Sequence, residues 1–160
     1  MIQISFYQTE SSLYAKTATQ LIEKCYHAKI RCTVLMSDNE FCEHLNKHLW
    51  TYSQKQFIPH GAASDPLPEV QPIYLTSTIE NKNNSSAAIM VNCDVKMMRN
   101  VFEDLKKLEK LAFERLILIF GMDDNLTEGE INIIKQGLLN SQINFDYFKQ
   151  SASGWTKESN

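Results

Sequence analysis

Cys42, His44 and His48 lie within seven residues, and His60 follows soon after. Two histidines four apart on a helix sit one turn above another and can point both imidazoles at one zinc ion, a third ligand leaving a position open for water. No Glu stands between them as in a His-Glu-x-x-His hydrolase pattern, and a structural zinc site would show four ligands. Asp123 and Asp124 suggest a magnesium site in the same manner. Beside Gly121 and Asn125, however, they carry the chemistry of a turn, and no phosphate-binding residue accompanies them. A serine nucleophile has no Gly-x-Ser-x-Gly turn to present it. There are only five glycines, none in Gln8–Ser12, and no Gly-x-x-x-x-Gly-Lys-Ser/Thr, so the cradle that would hold a nucleotide phosphate is missing. A small metal- or nucleotide-dependent hydrolase is the catalytic alternative. The reading preferred over it has no catalytic residue, no metal and no cofactor.

Recognition is the chemistry that remains. Leu49–Gly61 reads Leu-Trp-Thr-Tyr-Ser-Gln-Lys-Gln-Phe-Ile-Pro-His-Gly and packs Trp50, Tyr52, Phe57, Ile58, Pro59 and His60 into one short connection. Pro59 lacks an N–H and biases Ile58 toward extended backbone, so a helix must stop before it. Gly61 permits a backbone angle that a larger residue resists. Aromatic rings in such a connection either fold back onto their own core or face outward as interface anchors. His60 serves as a rim hydrogen-bonder or satisfies a loop carbonyl.

The elements around this stretch alternate. Ile2, Ile4 and Phe6 have the period of a strand. Ser11 or Ser12 can cap a helix with Leu13, Ala18, Leu21, Ile22 and Cys25 on its apolar face. Ile30–Met36 reads as a buried strand, and Ser37-Asp38-Asn39-Glu40 as a capping box that opens a helix carrying Phe41, Leu45 and Leu49. Ala62–Glu69 reads as a loop, Val70–Thr76 as a strand made irregular by Pro72, and Ser77–Ser86 as a turn or mobile excursion. Ala87–Cys93 and Leu116–Phe120 are buried-type strands around a Val95–Leu111 helix with Met98, Val101, Phe102, Leu105 and Leu108 on one side. Thr127 opens a last helix through about Leu139, and Ile143, Phe145 and Tyr147 alternate in a final strand. The pattern predicts an α/β domain of three layers, α/β/α, on a mostly parallel, mixed sheet. It is Rossmann-like in layering and lacks a phosphate-binding loop. Residues 1–150 form the one domain, and 151–160 read as a polar C-terminal tail.

Length and charge narrow the function. The 160 residues suit one domain. A formal charge of −3 argues against a sequence-blind DNA binder, which needs a surplus of Lys and Arg. No apolar run approaches the roughly 20 residues that span a bilayer, and no secretion signal is visible at the start. Four scattered cysteines without a Cys-x-x-Cys pair fit reduced thiols. The expected location is the cytoplasm.

Leu49-Trp50-Thr51-Tyr52 followed by Phe57-Ile58-Pro59-His60-Gly61 resembles the signature of the chi subunit of bacterial DNA polymerase III. The similarity extends through Ile4–Tyr7, Gln71–Thr76, Glu80–Asn84, Arg115–Phe120, Tyr147–Gln150 and Gly154-Trp155, and is weakest between Asp94 and Phe113. It implies a non-catalytic accessory subunit of the clamp-loader assembly in a DNA-directed DNA polymerase holoenzyme, placed at the replisome or nucleoid. One surface would bind the psi subunit, or an equivalent replisome or helicase partner, through Trp50, Tyr52, Phe57, Ile58, Pro59 and His60. Another would bind the C-terminal tail of single-stranded DNA-binding protein, and DNA would be met only indirectly. That acidic tail ends in a phenylalanine with a free carboxylate, so its receptor needs a cation beside an apolar slot. The family supplies an Arg in the helix before the last strand, with an aromatic residue three positions later followed by Lys or Arg. An ungapped alignment from Phe120 to Tyr147 puts Asn132, Lys135 and Gln136 there, with Glu128 at the helix start. Asn132 and Lys135 are therefore tail candidates by position. Lys is a point charge rather than a bidentate fork, which weakens carboxylate capture.

Overall fold

Strand and helix alternate along the computed structural model, which describes residues 1–123 and 125–159, the side chains of Val101 and Phe102 apart. In chain order they are β1 (Gln3–Gln8), α1 (Tyr14–His27), β2 (Cys32–Met36), α2 (Asn39–Thr51), β3 (His60–Ala62) and β4 (Ile73–Thr76). Then come β5 (Ala87–Val91), α3 (Val95–Lys110), β6 (Arg115–Phe120), α4 (Glu128–Asn140), β7 (Phe145–Ser151) and β8 (Gly154–Glu158). One eight-stranded sheet results, in the order β3-β4-β2-β5-β6-β1-β7-β8. Every neighbouring pair is parallel except β7–β8.

Side-chain alternation along these strands divides the core in two. Val34, Ile89, Val91 and Ile119 pack under α1 and α2, on Ala18, Ile22, Leu45 and Leu49. Phe6, Met90, Leu118 and Tyr147 face the other way, onto Met98, Leu108, Ile131 and Leu138 of α3 and α4. This is the three-layer α/β/α arrangement expected. β2 and β5, with near-continuous apolar sequence, are buried along their whole length, as is the shorter β4.

Several local expectations are corrected. The cap of α2 is Asp38, whose carboxylate accepts the Phe41 N–H at 2.8 Å, and not Ser37. Ser11–Leu13 form one turn of 3-10 helix and no side chain caps α1. His60–Ala62, read as the end of a connection and the start of a loop, is an edge strand paired with β4. Val70 and Pro72 lie outside β4, which begins at Ile73 because Pro72 has no N–H to give the ladder; its carbonyl still accepts from Cys32 at 3.0 Å. Gly61 has no positive φ. Its smallness serves a close approach, since a Cβ there would lie 2.7 Å from Gln71 Cγ.

The segment read as a polar tail is also different. Gly154–Glu158 pairs antiparallel with β7, with Ser151 opposite Gly154. Gly154 adopts φ +115° on leaving the two-residue turn, where a side chain would be strained. The strand carries no apolar alternation to mark it, because Trp155 is its one large apolar residue and Thr156, Lys157 and Glu158 are polar.

The Asn-rich turn is not a mobile excursion. Asn83 is fully buried; its side-chain N–H groups reach the carbonyls of Cys32 (3.3 Å) and Gln71 (3.0 Å), and its Oδ1 accepts from Thr33 (3.0 Å) and Ser85 (2.6 Å). Glu80 accepts from Tyr74 (2.7 Å) and Thr76 (3.1 Å). The turn thereby covers the face of β2 and β4 that α3 and α4 do not reach.

Candidate protein-docking site

The last turn of α2 and the chain after it set the aromatic stretch. Leu45 and Leu49 anchor α2 in the core, which turns Trp50 outward. Ile58 is buried in the same cluster and pins the returning chain, leaving Phe57 on the outer side. Trp50 is 59% and Phe57 51% exposed, and their rings lie 4.9 Å apart. Beneath them His60 is buried, its ring 5.4 Å from Trp50 and 6.0 Å from Phe57.

The hydrogen bonds of His60 decide its role. Nδ1 lies 2.7 Å from the Ile58 carbonyl and Nε2 2.8 Å from the Asn46 side-chain amide. The Ile58 carbonyl only accepts, so Nδ1–H donates to it, while Nε2 meets Asn46 Oδ1 of α2, and the ring is tied on both sides. His60 thus holds α2 to the loop and supports the ring pair from below. Tyr52 is half-buried and donates to Glu23 Oε1 at 2.7 Å, with burial, and then the Glu23 bond, pushing its hydroxyl up to about 12. Of the six residues singled out in this stretch, Trp50 and Phe57 face solvent. Pro59 is half-buried beside them, while Tyr52, Ile58 and His60 hold the frame. The sequence pattern did not mark Asn46 or Glu23 as part of that frame.

The second candidate surface lies along α4, where Asn132 and Lys135 line a cleft of about 380 Å³ with Gln8, Tyr147, Lys149 and Glu158. Asn132 is exposed. Lys135 is already engaged, its ammonium 3.1 Å from Glu158 and 3.6 Å from the centre of the Tyr147 ring. Burial pushes the Tyr147 hydroxyl up, and Glu158 and then Glu128 add to it. Ile131 and Ile134 floor the helix but are buried. Asp123, Glu128 and Glu158 bring three carboxylates to this cleft against two lysines. Glu158 escaped notice because its strand read as a tail.

The residues with metal-site spacing are not brought together. Cys42 is buried in the core, where desolvation raises its thiol to about 11, while His44, two residues on, faces solvent. His48 stacks on Tyr52 at 6.1 Å. Among the described residues no three His, Cys, Asp or Glu side chains converge as a metal site would need. Asp123 Oδ1 accepts the N–H groups of Asn125 (2.8 Å) and Leu126 (2.6 Å), as a turn residue does. Asp124 lies outside the described residues. No helix of the described residues is long and apolar enough to cross a membrane.

Residues 1–129 match the protein family described as DNA polymerase III chi subunit, HolC. A protein of Rickettsia prowazekii (strain Madrid E), "Probable DNA polymerase III subunit chi", is 40% identical over 159 residues, which span 98% of this chain and 92% of that protein. Among solved structures, domain 2 of the DEAD-box helicase Mss116p, bound to an RNA duplex, gives a TM-score of 0.57 at 9% identity, covering 96% of this chain and 66% of that one. The C-terminal domain of the DEAD-box protein Dbp5 gives 0.54 at 9% identity, covering 93% and 90%. At such identity the likeness is one of fold alone.

Proposed function

Because the chain belongs to the DNA polymerase III chi subunit family, we propose that it works as a docking subunit of the polymerase III clamp-loader assembly, with no catalytic site of its own. The observation that carries this reading is the Trp50–Phe57 pair. Two large rings stand half or more exposed on a frame fixed by buried Ile58 and His60 and by half-buried Asn46, inside the segment that matches the family. Rigid aromatic anchors of this kind lose little entropy on binding and are where interface energy concentrates. A psi subunit, or an equivalent replisome or helicase partner, is the proposed occupant.

The link to the C-terminal tail of single-stranded DNA-binding protein is proposed for the α4 cleft, in weakened form. A tail carboxylate must compete with Glu158 for Lys135, whereas exposed Lys149 on the same cleft has no ion pair among the described residues. Binding there should fall with added salt, because exposed charges are screened over about 8–10 Å at physiological ionic strength. Synthesis and hydrolysis of nucleic acid are assigned to the assembly and not to this chain.

Affinity capture from an extract of the source cells, read by mass spectrometry, tests the proposal. The chain should recover polymerase III clamp-loader polypeptides, and Phe57→Ala should lose them. Recovery of none by the unaltered chain, or robust polymerase or hydrolase activity in the purified chain, would overturn it.

A further inference from the structure

The two edges of the sheet are not equally finished. β3, at one edge, is closed by its own chain: the Ala62 N–H donates to the Asp65 carboxylate at 2.8 Å, and the Ala62 carbonyl accepts the Asp65 N–H at 3.0 Å. β8, at the other edge, has β7 on one side and no strand on the other among the described residues. Ser151 and Gly154 flank a two-residue turn and form a hydrogen-bonded pair. Antiparallel alternation then gives the same pairing to Thr156 opposite Lys149 and to Glu158 opposite Tyr147. Trp155 and Lys157 fall between, with N–H and C=O aimed away from β7, and among the described residues no other group meets them. Such an edge is a template for another strand. A lysine is a common guard against this, but the Lys157 ammonium lies 2.7 Å from Asp146 and is neutralised there.

We propose that β8 docks a second copy of this chain, edge to edge and antiparallel about a twofold axis at Thr156, joining the two sheets into one. This goes beyond the function proposed above, which uses the aromatic loop and the α4 cleft. The occupant is named by the way β8 complements itself in one register. With Thr156 opposite the partner's Thr156, Trp155 falls opposite the partner's Lys157, and Lys157 opposite the partner's Trp155. All of these residues aim their backbone groups outward, so each of the two pairs exchanges both of its hydrogen bonds. Each pair also sets a cation beside an indole, which is attractive. Gly154 falls opposite the partner's Glu158, so no like charges meet. Sliding the strands two residues one way puts Lys157 opposite the partner's Lys157. Sliding them two residues the other way draws Ser153 of the turn into the pairing and leaves one hydrogen-bonded pair within β8. A slide of one residue sets outward groups against inward ones. The favoured contact is therefore isologous and closes at two copies.

The test is sedimentation equilibrium of the full chain across a concentration series, in which the mass should rise reversibly from one chain toward two. Thr156→Glu sits opposite Lys149 in its own hairpin, which suits the single chain, but sets two carboxylates against each other across the axis. It should weaken the dimer about fivefold or more. An equimolar mixture of Thr156→Glu and Thr156→Lys chains should dimerise again, which a merely unfolded hairpin could not do. Lys157→Pro removes an outward N–H and no bond to β7, and should abolish dimerisation. Phe57→Ala should leave it unchanged. A ¹⁵N–¹H spectrum of each variant, unchanged away from β7 and β8, checks that the fold is kept. A single-chain mass at every concentration, or a dimer that Thr156→Glu leaves as tight, would overturn the proposal. So would a dimer lost in Phe57→Ala, whose interface would be the ring pair, or growth beyond two copies.

Discussion

Lys135 and Glu158 set how much carboxylate the α4 cleft can still accept. Their 3.1 Å pair is partly exposed, so its own worth is small, about 0–1 kcal/mol. It is enough to compete with a second carboxylate of similar kind. Glu158→Gln should therefore tighten binding of an acidic tail peptide by a few-fold in titration calorimetry, and Lys135→Ala should weaken it. An unchanged affinity in Glu158→Gln would mean that Lys135 takes no part. Asn83 illustrates the opposite case of a residue whose partners are all buried. Asn83→Ala strips partners from two hydroxyls and two carbonyls, and leaving such groups unsatisfied costs about 1–3 kcal/mol each in the worst case. A loss of about 3 kcal/mol in denaturant unfolding is expected, and a loss below about 1 kcal/mol would contradict the role assigned to the turn. Its sequence, Asn81-Lys82-Asn83-Asn84, gave the turn away but not its burial, since polarity alone suggests solvent.

At the scale of elements, the runs Ile30–Met36, Ala87–Cys93 and Leu116–Phe120 were legible because strands buried on both faces leave no polar alternation to confuse them. The helices were legible from apolar spacing, and Thr127 from its cap: its hydroxyl accepts the Glu130 N–H at 3.4 Å. The edge strands β3 and β8 were not legible. One is three residues long, and the other presents mostly polar side chains, so neither has a pattern strong enough to separate strand from loop. The Glu80–Ser85 turn carries a pH dependence of its own. Burial works to raise the Glu80 carboxyl, but hydrogen bonds from Tyr74, Lys82 and Thr76, together with the Lys82 charge, outweigh it and leave it below its ordinary 4.5. A carboxyl depressed by folding contributes stability that is complete above its ordinary value and is lost as pH falls through the lower, folded one. The stability gap between the natural chain and Glu80→Gln should hold between pH 6 and 8 and shrink below about 4.5. A gap that grew in acid would refute the assignment.

For the whole molecule, the alternation of strands and helices dictated the layers, whereas the strand order could not be read, because it depends on which crossovers pack together. The candidate site divided in the same way. The types and spacing of Trp50 and Phe57 left open whether the rings fold back onto the core or face outward, and only the fold showed that both face solvent while Ile58 and His60 face inward. The central claim is that this ring pair is the main docking surface, and its most direct test is the dissociation constant of the captured clamp-loader partner for the natural chain and for Phe57→Ala. Phe57 is half exposed, so its removal should cost the fold less than about 1 kcal/mol. Removing a central anchor costs about 2 kcal/mol or more of binding, equivalent to about 30-fold in affinity. A loss of that size with an unchanged melting temperature is the predicted result; equal affinity for both chains would contradict the account.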